Sequence, residues 1–244
     1  MYKESFLMAW ASLIANKLRS LLTMLGIIIG VAAVIALVSI GNGVKQDIEN
    51  SISSLGSNLL VVLPGAPRTP GARSSQGSMK SLKISDYEAI AKLEGVKAAS
   101  PMTNGSYVVI YQNKNWTTSV AGVNSNFQDV NNWTMTSGRF FSDKNVQNRE
   151  RVAVVGQTVV KNLFADEDPV GKEIRVKNIP FRVIGVLKSK GNGTMGNDQD
   201  DTVLIPYTTS MERVEGIDYL RRVYVVAKDD GGIDRLQADI ENLL

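Results

Sequence analysis

The stretch of sequence that decides the fold is Leu21-Leu-Thr-Met-Leu-Gly-Ile-Ile-Ile-Gly-Val-Ala-Ala-Val-Ile-Ala-Leu-Val-Ser-Ile40. It lies inside a longer segment, from Ser20 to Val44, in which no side chain is charged. A helix rises about 1.5 Å per residue, so about 20 apolar residues cross the roughly 30 Å hydrocarbon core of a bilayer, where a helix satisfies its own backbone polar groups. The sequence therefore predicts a transmembrane helix over residues 20–44.

Two other interpretations of this segment are disfavoured. Ser39-Ile-Gly41 is a small-x-small triplet of the kind that a signal peptidase cleaves, but signal peptides have an apolar core of about 7–15 residues and a short charged region before it. Here the apolar core is longer, and 19 residues precede Ser20. A buried helix of a soluble protein is the second alternative, and the absence of a polar face along the segment disfavours it.

The charges that flank the segment predict its orientation. Lys3, Lys17 and Arg19 precede it, whereas Lys45 is the only basic residue close behind it. Basic residues are retained on the cytoplasmic side of a membrane. The N-terminus is therefore expected in the cytoplasm of the cell, at the inner membrane, and the main domain is expected to be extracytoplasmic.

Residues 1–19 have a pattern of their own, in which apolar side chains recur at helical spacing among polar ones. This pattern predicts an amphipathic helix at the membrane interface. Trp10 is expected at the level of the lipid headgroups, and Lys17 and Arg19 are expected to extend toward anionic phosphates. A plain N-terminal extension of the transmembrane helix is the alternative.

Small residues recur within the predicted span. Gly26 and Gly30 form a G-x-x-x-G pair, and Ala33 follows one turn later. Small residues four apart let a second transmembrane helix approach closely, so these three positions are candidates for helix packing. Chance is the alternative interpretation, because glycine and alanine are common in transmembrane helices.

The composition excludes several kinds of chemistry. The chain of 244 residues has no Cys and no His, which rules out disulfides, thiolate nucleophiles, Cys/His zinc sites and catalysis by imidazole. Its formal net charge of +3 is small for a nucleic-acid-binding protein, so no nucleic acid is expected as a partner. Carboxylate, Lys, Ser/Thr or Tyr chemistry remains, as does a mechanical or binding role.

The rest of the chain alternates short helices and strands. The spacing of Val44, Ile48, Ile52 and Leu55 predicts that the helix continues as a stalk beyond the membrane, with Gly56 as its C-cap. After an irregular loop over residues 64–80, the pattern predicts an α+β domain of mixed helices and strands. The predicted elements include a hairpin of 106–111 with 116–123, strands at 151–155, 173–176, 181–187, 203–205 and 223–227, and helices at 157–163, 207–214 and from Ile233.

A glycine-rich loop follows the predicted strand 181–187. Gly191-Asn-Gly-Thr-Met-Gly196 matches G-x-G-x-x-G, but it leads into acidic residues and another strand instead of the helix that would hold a pyrophosphate. We therefore interpret it as a flexible loop. The chain has no G-x-x-x-x-G-K-[ST] sequence, so it carries no ATPase P-loop.

The same loop supplies the candidate partner or substrate site. Asp198, Asp200 and Asp201 are carboxylates of the type that bind Ca²⁺, but their spacing does not fit an EF-hand, and turn-capping acids are the favoured interpretation, with no metal expected. Met195, between glycines and polar residues, is an apolar residue that is a candidate contact for a partner or substrate. An ordinary surface methionine is the alternative.

Several short motifs follow one another along the chain. They are Asn16-Lys-Leu-Arg-Ser-Leu-Leu-Thr-Met-Leu-Gly-Ile-Ile-Ile-Gly-Val-Ala32, Ile40-Gly-Asn-Gly-Val44, Leu55-Gly-Ser-Asn-Leu59, Gly138-Arg-Phe-Phe141, Val152-Ala-Val-Val-Gly156, Leu163-Phe164, Asp168-Pro-Val-Gly-Lys172, Phe181-Arg-Val-Ile-Gly-Val-Leu187 and Asp200-Asp-Thr-Val-Leu-Ile-Pro206. Together they resemble the MacB-like ABC transporter permeases, also called type VII or mechanotransmission permeases. The resemblance covers nearly the whole chain, from the first transmembrane helix through the extracytoplasmic core domain.

The resemblance implies a permease that works as a dimer with a second permease copy in the lipid bilayer. ATP would bind to an ABC ATPase on a partner subunit or domain, with no cofactor in this chain, and closing of the ATPase pair would move the extracytoplasmic domains and expel substrate. A periplasmic adaptor, or membrane fusion protein, is a further expected partner where an outer membrane exists. The family also implies two subdomains: a porter-like part, residues 45–122 plus 203–244, and an inserted small α/β part, residues 123–202.

Permeases of this family have four transmembrane helices, three of them after the extracytoplasmic domain. The sequence contains no second apolar run of even 15 residues after Val44. We therefore expect a fragment, an engineered truncation or one segment of a split permease, and no enzymatic activity of its own. The alternative function is a single-span, membrane-anchored binding or sensor protein. An anchored carboxylate enzyme is disfavoured, because spacing locates no paired-carboxylate site.

Overall fold

The N-terminal part of the chain is one long helix, α1, which spans Lys17–Leu55. The structure, a computed structural model, describes residues 3, 6, 8, 16–55, 58–65, 80–165, 167–193 and 197–244. The chain divides into two compact units, Met1–Asn50 and Ser51–Leu244. The helix continues beyond Val44 as expected, whereas the predicted C-cap Gly56 lies outside the described residues.

The segment Lys17–Ser39 of α1 is long and apolar enough to cross a membrane, and none of it is buried within the described structure. Aliphatic side chains are exposed on every side of the helix; Ile27 is 67% exposed and Leu37 is 75% exposed. An aliphatic side chain gains about 1.5–3 kcal/mol when it is removed from water, so a helix that is apolar all round requires an apolar environment. A lipid bilayer supplies that environment, in agreement with the predicted span.

The second unit is an α+β domain, as predicted. Its strands are β1 Leu59–Val62, β2 Val96–Tyr111, β3 Lys114–Val123, β4 Met135–Gly138, β5 Val152–Val155, β6 Glu173–Val176, β7 Ile179–Leu187, β8 Thr202–Pro206 and β9 Arg222–Ala227. Its helices are α2 Ile84–Ile90, α3 Phe127–Val130, α4 Asp143–Gln147, α5 Gln157–Leu163, α6 Tyr207–Thr209 and α7 Ile233–Leu243, with a π-helix at Ser210–Glu215 and a 3₁₀ helix at Asp230–Gly232.

The described strands form one mixed sheet in the order β1-β9-β2-β3-β8-β5-β7-β4, and β6 pairs with β2 and β7. Antiparallel pairs predominate, but β3 runs parallel to β8, and β5 runs parallel to β7. The sheet therefore brings together strands that are distant in the sequence. Side chains from different parts of residues 139–213 therefore lie close together although they are far apart in the sequence.

The hairpin of β2 and β3 confirms the predicted pairing and extends it. Tyr111 lies opposite Lys114, so the turn has two residues, and Gln112 adopts a left-handed φ of 51°. The strand β2 begins at Val96, ten residues before the predicted start, because its first half pairs with β9 and its second half pairs with β3. One strand of 16 residues therefore serves two ladders.

Among the described residues, three clusters of buried side chains form the core of the second unit. One contains Ile90, Val223 and Leu236 and lies among α2, β9 and α7. The other two lie along β3, β5, β7 and β8, one around Phe181 and the other around Phe141. The predicted division into parts at residues 123 and 202 stays a prediction.

The predicted helix over 207–214 is instead the short helix α6 followed by the π-helix Ser210–Glu215. Its buried side combines apolar Met211 and Val214 with one polar contact. Buried Thr103 of β2 donates a hydrogen bond to the Ser210 hydroxyl at 3.0 Å, and Ser210 donates to Glu215 at 3.0 Å. The π-helix ends at Gly216, which has a left-handed φ of 67°. This polar contact fits closely against β3, where Gly122 lies beside Thr103 and Ser210.

Gly122→Ala is expected to destabilise the protein by about 1–3 kcal/mol, the usual cost of adding a methyl group to a close-packed interior. A Cβ at residue 122 would lie 2.6 Å from the Thr103 Oγ1 atom and would also overlap Ser210. Thermal unfolding of the full chain in detergent measures the loss. Gly231→Ala is the matched control, because a Cβ there meets no atom within 4 Å. Equal melting temperatures of the two variants would contradict the prediction.

Candidate functional site

The acidic loop between β7 and β8 is folded back on itself and held by Asp200. The Asp200 side chain is buried, with 5% of the residue exposed. Its Oδ1 accepts a hydrogen bond from the Lys190 backbone N–H at 2.8 Å; its Oδ2 accepts one from the Gly191 N–H at 3.1 Å and another from the Ser189 hydroxyl. Charge-assisted hydrogen bonds from backbone amides are strong, so Asp200 fixes the start of the loop.

The other two acids of the loop also have structural partners. Asp198 accepts hydrogen bonds from the Thr158 hydroxyl of α5 at 2.6 Å and from the Asp200 backbone N–H at 2.8 Å. Asp201 accepts a hydrogen bond from the Trp116 indole N–H of β3 at 2.8 Å. Among the described residues, no group of three or more His, Cys, Asp or Glu side chains is arranged to hold a metal ion.

Lys190 closes the loop from the other side. Its ammonium group donates a hydrogen bond to the Asn131 carbonyl and lies 4.5 Å from the centre of the Trp133 ring. Burial lowers the pKa of Lys190 below its ordinary value, and the nearby Asp200 carboxylate partly opposes that shift. A cation over the face of an indole ring is a stabilising arrangement. The loop is thus attached to the segment that precedes β4.

Two of the predicted site residues, Trp10 and Met195, lie outside the described residues. Lys17 and Arg19 occupy the first turn of α1, and both are exposed. The predictions made for Trp10, Lys17, Arg19 and Met195 stay predictions. The loop positions nearest to Met195 that the structure describes are Gly193 and Asn197, whose N–H and carbonyl groups form a 2.8 Å hydrogen bond.

The three predicted packing positions in α1 are open. A Cβ at Gly26 or Gly30 meets no atom within 4 Å, and Ala33 is exposed. Residues at spacings of four and three lie on one face of a helix. The face that these residues share is therefore accessible to another helix, and its role in packing stays a prediction.

Sequence analysis did not identify a cleft of about 740 Å³ at the β4, β5 and β7 end of the sheet. Five arginines line it: Arg139, Arg149, Arg151, Arg182 and Arg213. They are scattered over more than 70 positions of the sequence, and only the Arg-Glu-Arg run at 149–151 gave a local signal. Their convergence depends on the parallel pairing of β5 with β7, which the sequence did not predict.

The apolar helix α1 and the mixed sheet that follows it in the chain define the class of the protein as an α+β domain that carries a membrane anchor. The family model of the MacB-like periplasmic core domain matches residues 20–243. The macrolide export ATP-binding/permease protein MacB of Rhodospirillum rubrum is 45% identical over 245 residues, which covers 100% of this chain and 37% of the relative. The MacB protein of Chlorobium luteolum is 39% identical over 237 residues, or 97% of this chain and 36% of the relative.

Solved structures agree with this similarity. The periplasmic region of MacB from Actinobacillus actinomycetemcomitans superposes with a TM-score of 0.68 at 26% identity, covering 79% of this chain and 85% of that one. The extracellular domain of the noncanonic ABC-type transporter YknZ from Gram-positive bacteria has a TM-score of 0.64 at 20% identity, with 77% and 92% coverage, and it shows the shared fold. The chain belongs to the family of MacB-like periplasmic core domains. It spans a little over a third of the length of the two curated relatives.

Proposed function

We propose that this chain is the N-terminal portion of the permease of an ABC-type exporter, which couples ATP hydrolysis in the cytoplasm to extracytoplasmic movement and substrate efflux. The family match over residues 20–243 carries the proposal, because it includes both the apolar helix and the domain after it. Relatives that align along the whole chain are named as macrolide export ATP-binding/permease proteins. The chain contributes movement and contacts, and it performs no chemical step.

The source of energy is an ABC ATPase on a partner subunit or domain. The sequence has no P-loop of its own, and the three acids of the β7–β8 loop hold backbone amides, a hydroxyl group and an indole instead of a nucleotide. ATP hydrolysis on the partner therefore affects the extracytoplasmic domain indirectly, and α1 is the element that transmits the movement across the membrane. A second permease copy completes the working dimer, and a periplasmic adaptor is a further partner.

In this proposal α1 crosses the inner membrane with the N-terminus in the cytoplasm. Lys17 and Arg19 lie at the cytoplasmic end of the apolar segment, as the distribution of basic residues around transmembrane helices predicts. The shared face of Gly26, Gly30 and Ala33 is the candidate surface for other permease helices. The comparisons do not favour the alternative of a single-span binding or sensor protein.

The test is to purify a tagged version of the chain from cross-linked membranes of its own host, and to delete the gene in parallel. We expect a P-loop ATPase to co-purify, and the deletion strain to become at least fourfold more sensitive to erythromycin, a macrolide chosen from the names of the relatives. Restoring the gene is the control. Absence of the ATPase together with unchanged sensitivity would contradict the proposal. The reading frame after codon 244 adds a second test, since three further apolar segments are expected there.

A further inference from the structure

The cleft lined by Arg139, Arg149, Arg151, Arg182 and Arg213, here called the arginine cleft, is built on the ends of three strands. Arg151 immediately precedes β5, and its carbonyl accepts a 2.9 Å hydrogen bond from the backbone N–H of Arg182 in β7. Arg139 follows β4, and its N–H donates to the Ile184 carbonyl of β7 at 2.9 Å. The backbone of the sheet therefore fixes the origin of three of the five side chains.

Most of the positive charge in the arginine cleft is not neutralised by the protein. Arg149 is paired, with its Nε 3.0 Å from the Glu212 carboxylate. Arg139, Arg151, Arg182 and Arg213 form no ion pair with any carboxylate of the described residues. Within the described part of the chain, four arginines without a carboxylate partner therefore line one concave surface.

Glu150, the one carboxylate among the described residues that line the arginine cleft, forms no ion pair with an arginine. Glu150 accepts hydrogen bonds from the Asn145 side-chain amide at 2.7 Å and from the Asn148 side-chain amide at 3.4 Å. Its oxygens are thus directed to the end of α4. Glu173 lies opposite Arg182 in the β6–β7 ladder, but it does not line the cleft and forms no ion pair with Arg182 within the described part of the chain.

The arginine cleft has the volume of a small-molecule site. Its volume of about 740 Å³ lies within the roughly 300–1,000 Å³ that ligand pockets have. The lining also includes the apolar residues Val152, Val170, Val183 and Ile184. Like charges gathered on a surface repel one another, and a multivalent anion removes that repulsion when it binds.

The geometry points to a new binding site: we propose that the arginine cleft binds a small anion that carries two or more phosphate groups. Arginine presents several N–H donors in a planar fork that grips phosphate oxygens in pairs, and a di- or triphosphate supplies a charge comparable to that of the four arginines without a carboxylate partner. This inference goes beyond the proposed export function and does not rest on it. The phosphates belong either to a free anion or to a lipid headgroup.

The test titrates inorganic triphosphate into the full chain in an uncharged detergent and follows binding by calorimetry at low salt. We expect saturable binding that the double variant Arg151→Gln/Arg182→Gln weakens at least tenfold, because two charge-assisted contacts are lost. Both side chains are exposed, so the variant is expected to keep the melting temperature of the native chain. Arg235→Gln, an exposed arginine of α7 outside the cleft, is the matched control and should bind normally.

The source of the phosphate groups is distinguished by a second titration with a short-chain diacylglycerol pyrophosphate below its micelle concentration, because this lipid carries two phosphate groups. A third titration with citrate measures the preference for phosphate over carboxylate. Binding of the triphosphate alone supports a free anion, and tighter binding of the lipid supports a headgroup. Unchanged binding by the double variant, an equal loss in Arg235→Gln, citrate binding as tight as that of triphosphate, or no binding of either phosphate compound would each overturn the proposal.

Discussion

Asp200→Ala is expected to destabilise the second unit by about 3 kcal/mol and to lower its melting temperature by roughly 10 °C. The substitution removes a buried acceptor and leaves the backbone N–H groups of Lys190 and Gly191 without their partner. Each buried donor left unsatisfied costs about 1–3 kcal/mol. Thermal unfolding of the full chain in detergent, followed by circular dichroism, measures the change.

Asp201→Ala is the matched control, because that acid lies in the same loop and accepts one hydrogen bond, from the Trp116 indole. We expect it to cost about 1 kcal/mol. Asp200→Asn keeps the size of the side chain but turns an amide group toward donors, so it should fall between the two alanine variants. A melting temperature of Asp200→Ala equal to that of Asp201→Ala would show that Asp200 does not anchor the loop.

Gly30→Arg is expected to weaken insertion of the chain into the membrane. A charged side chain near the middle of a transmembrane helix costs about 3 kcal/mol of insertion free energy, which shifts the insertion equilibrium on the order of 100-fold. The fraction of chain that remains in membranes after an alkaline carbonate wash measures insertion. Retention of the Arg variant at the native level would contradict a transmembrane role for α1.

Gly30→Leu separates insertion from helix packing. Leucine is as apolar as the bilayer, and a Cβ at residue 30 meets no atom of the described residues within 4 Å, so the variant should insert normally. If Gly26, Gly30 and Ala33 form the packing face, the same variant should fail to restore erythromycin resistance to the deletion strain. A Leu variant that restores full resistance would reject that face.

Local patterns predicted the helices and strands that are determined by their own residues. The predicted helix 157–163 coincides with α5, and the strands 173–176 and 203–205 match β6 and β8 to within a residue at each end. Apolar alternation and turn residues decide such elements over a few positions. The turn between β6 and β7 is tighter than expected, with Lys177 and Asn178 both at positive φ and Pro180 already inside the strand.

Features that depend on contacts between residues distant in the sequence could not be predicted from local patterns. The π-helix forms where Ser210 and Glu215 meet Thr103, a contact that spans more than 100 positions and needs Gly122 to leave space. The carboxylates of the β7–β8 loop were recognised as turn-capping candidates, but their partners Thr158 and Trp116 were not. The arginine cleft was missed for the same reason.

The shared strand β2 has a mechanical consequence. At about 3.3 Å per residue its 16 residues reach roughly 50 Å, and they are bonded to β9 along one half and to β3 along the other. A pull along this strand loads both ladders in shear, so many hydrogen bonds share the force and none can break alone. We therefore expect the domain to be stiff along β2, so that it transmits a force in that direction with little bending.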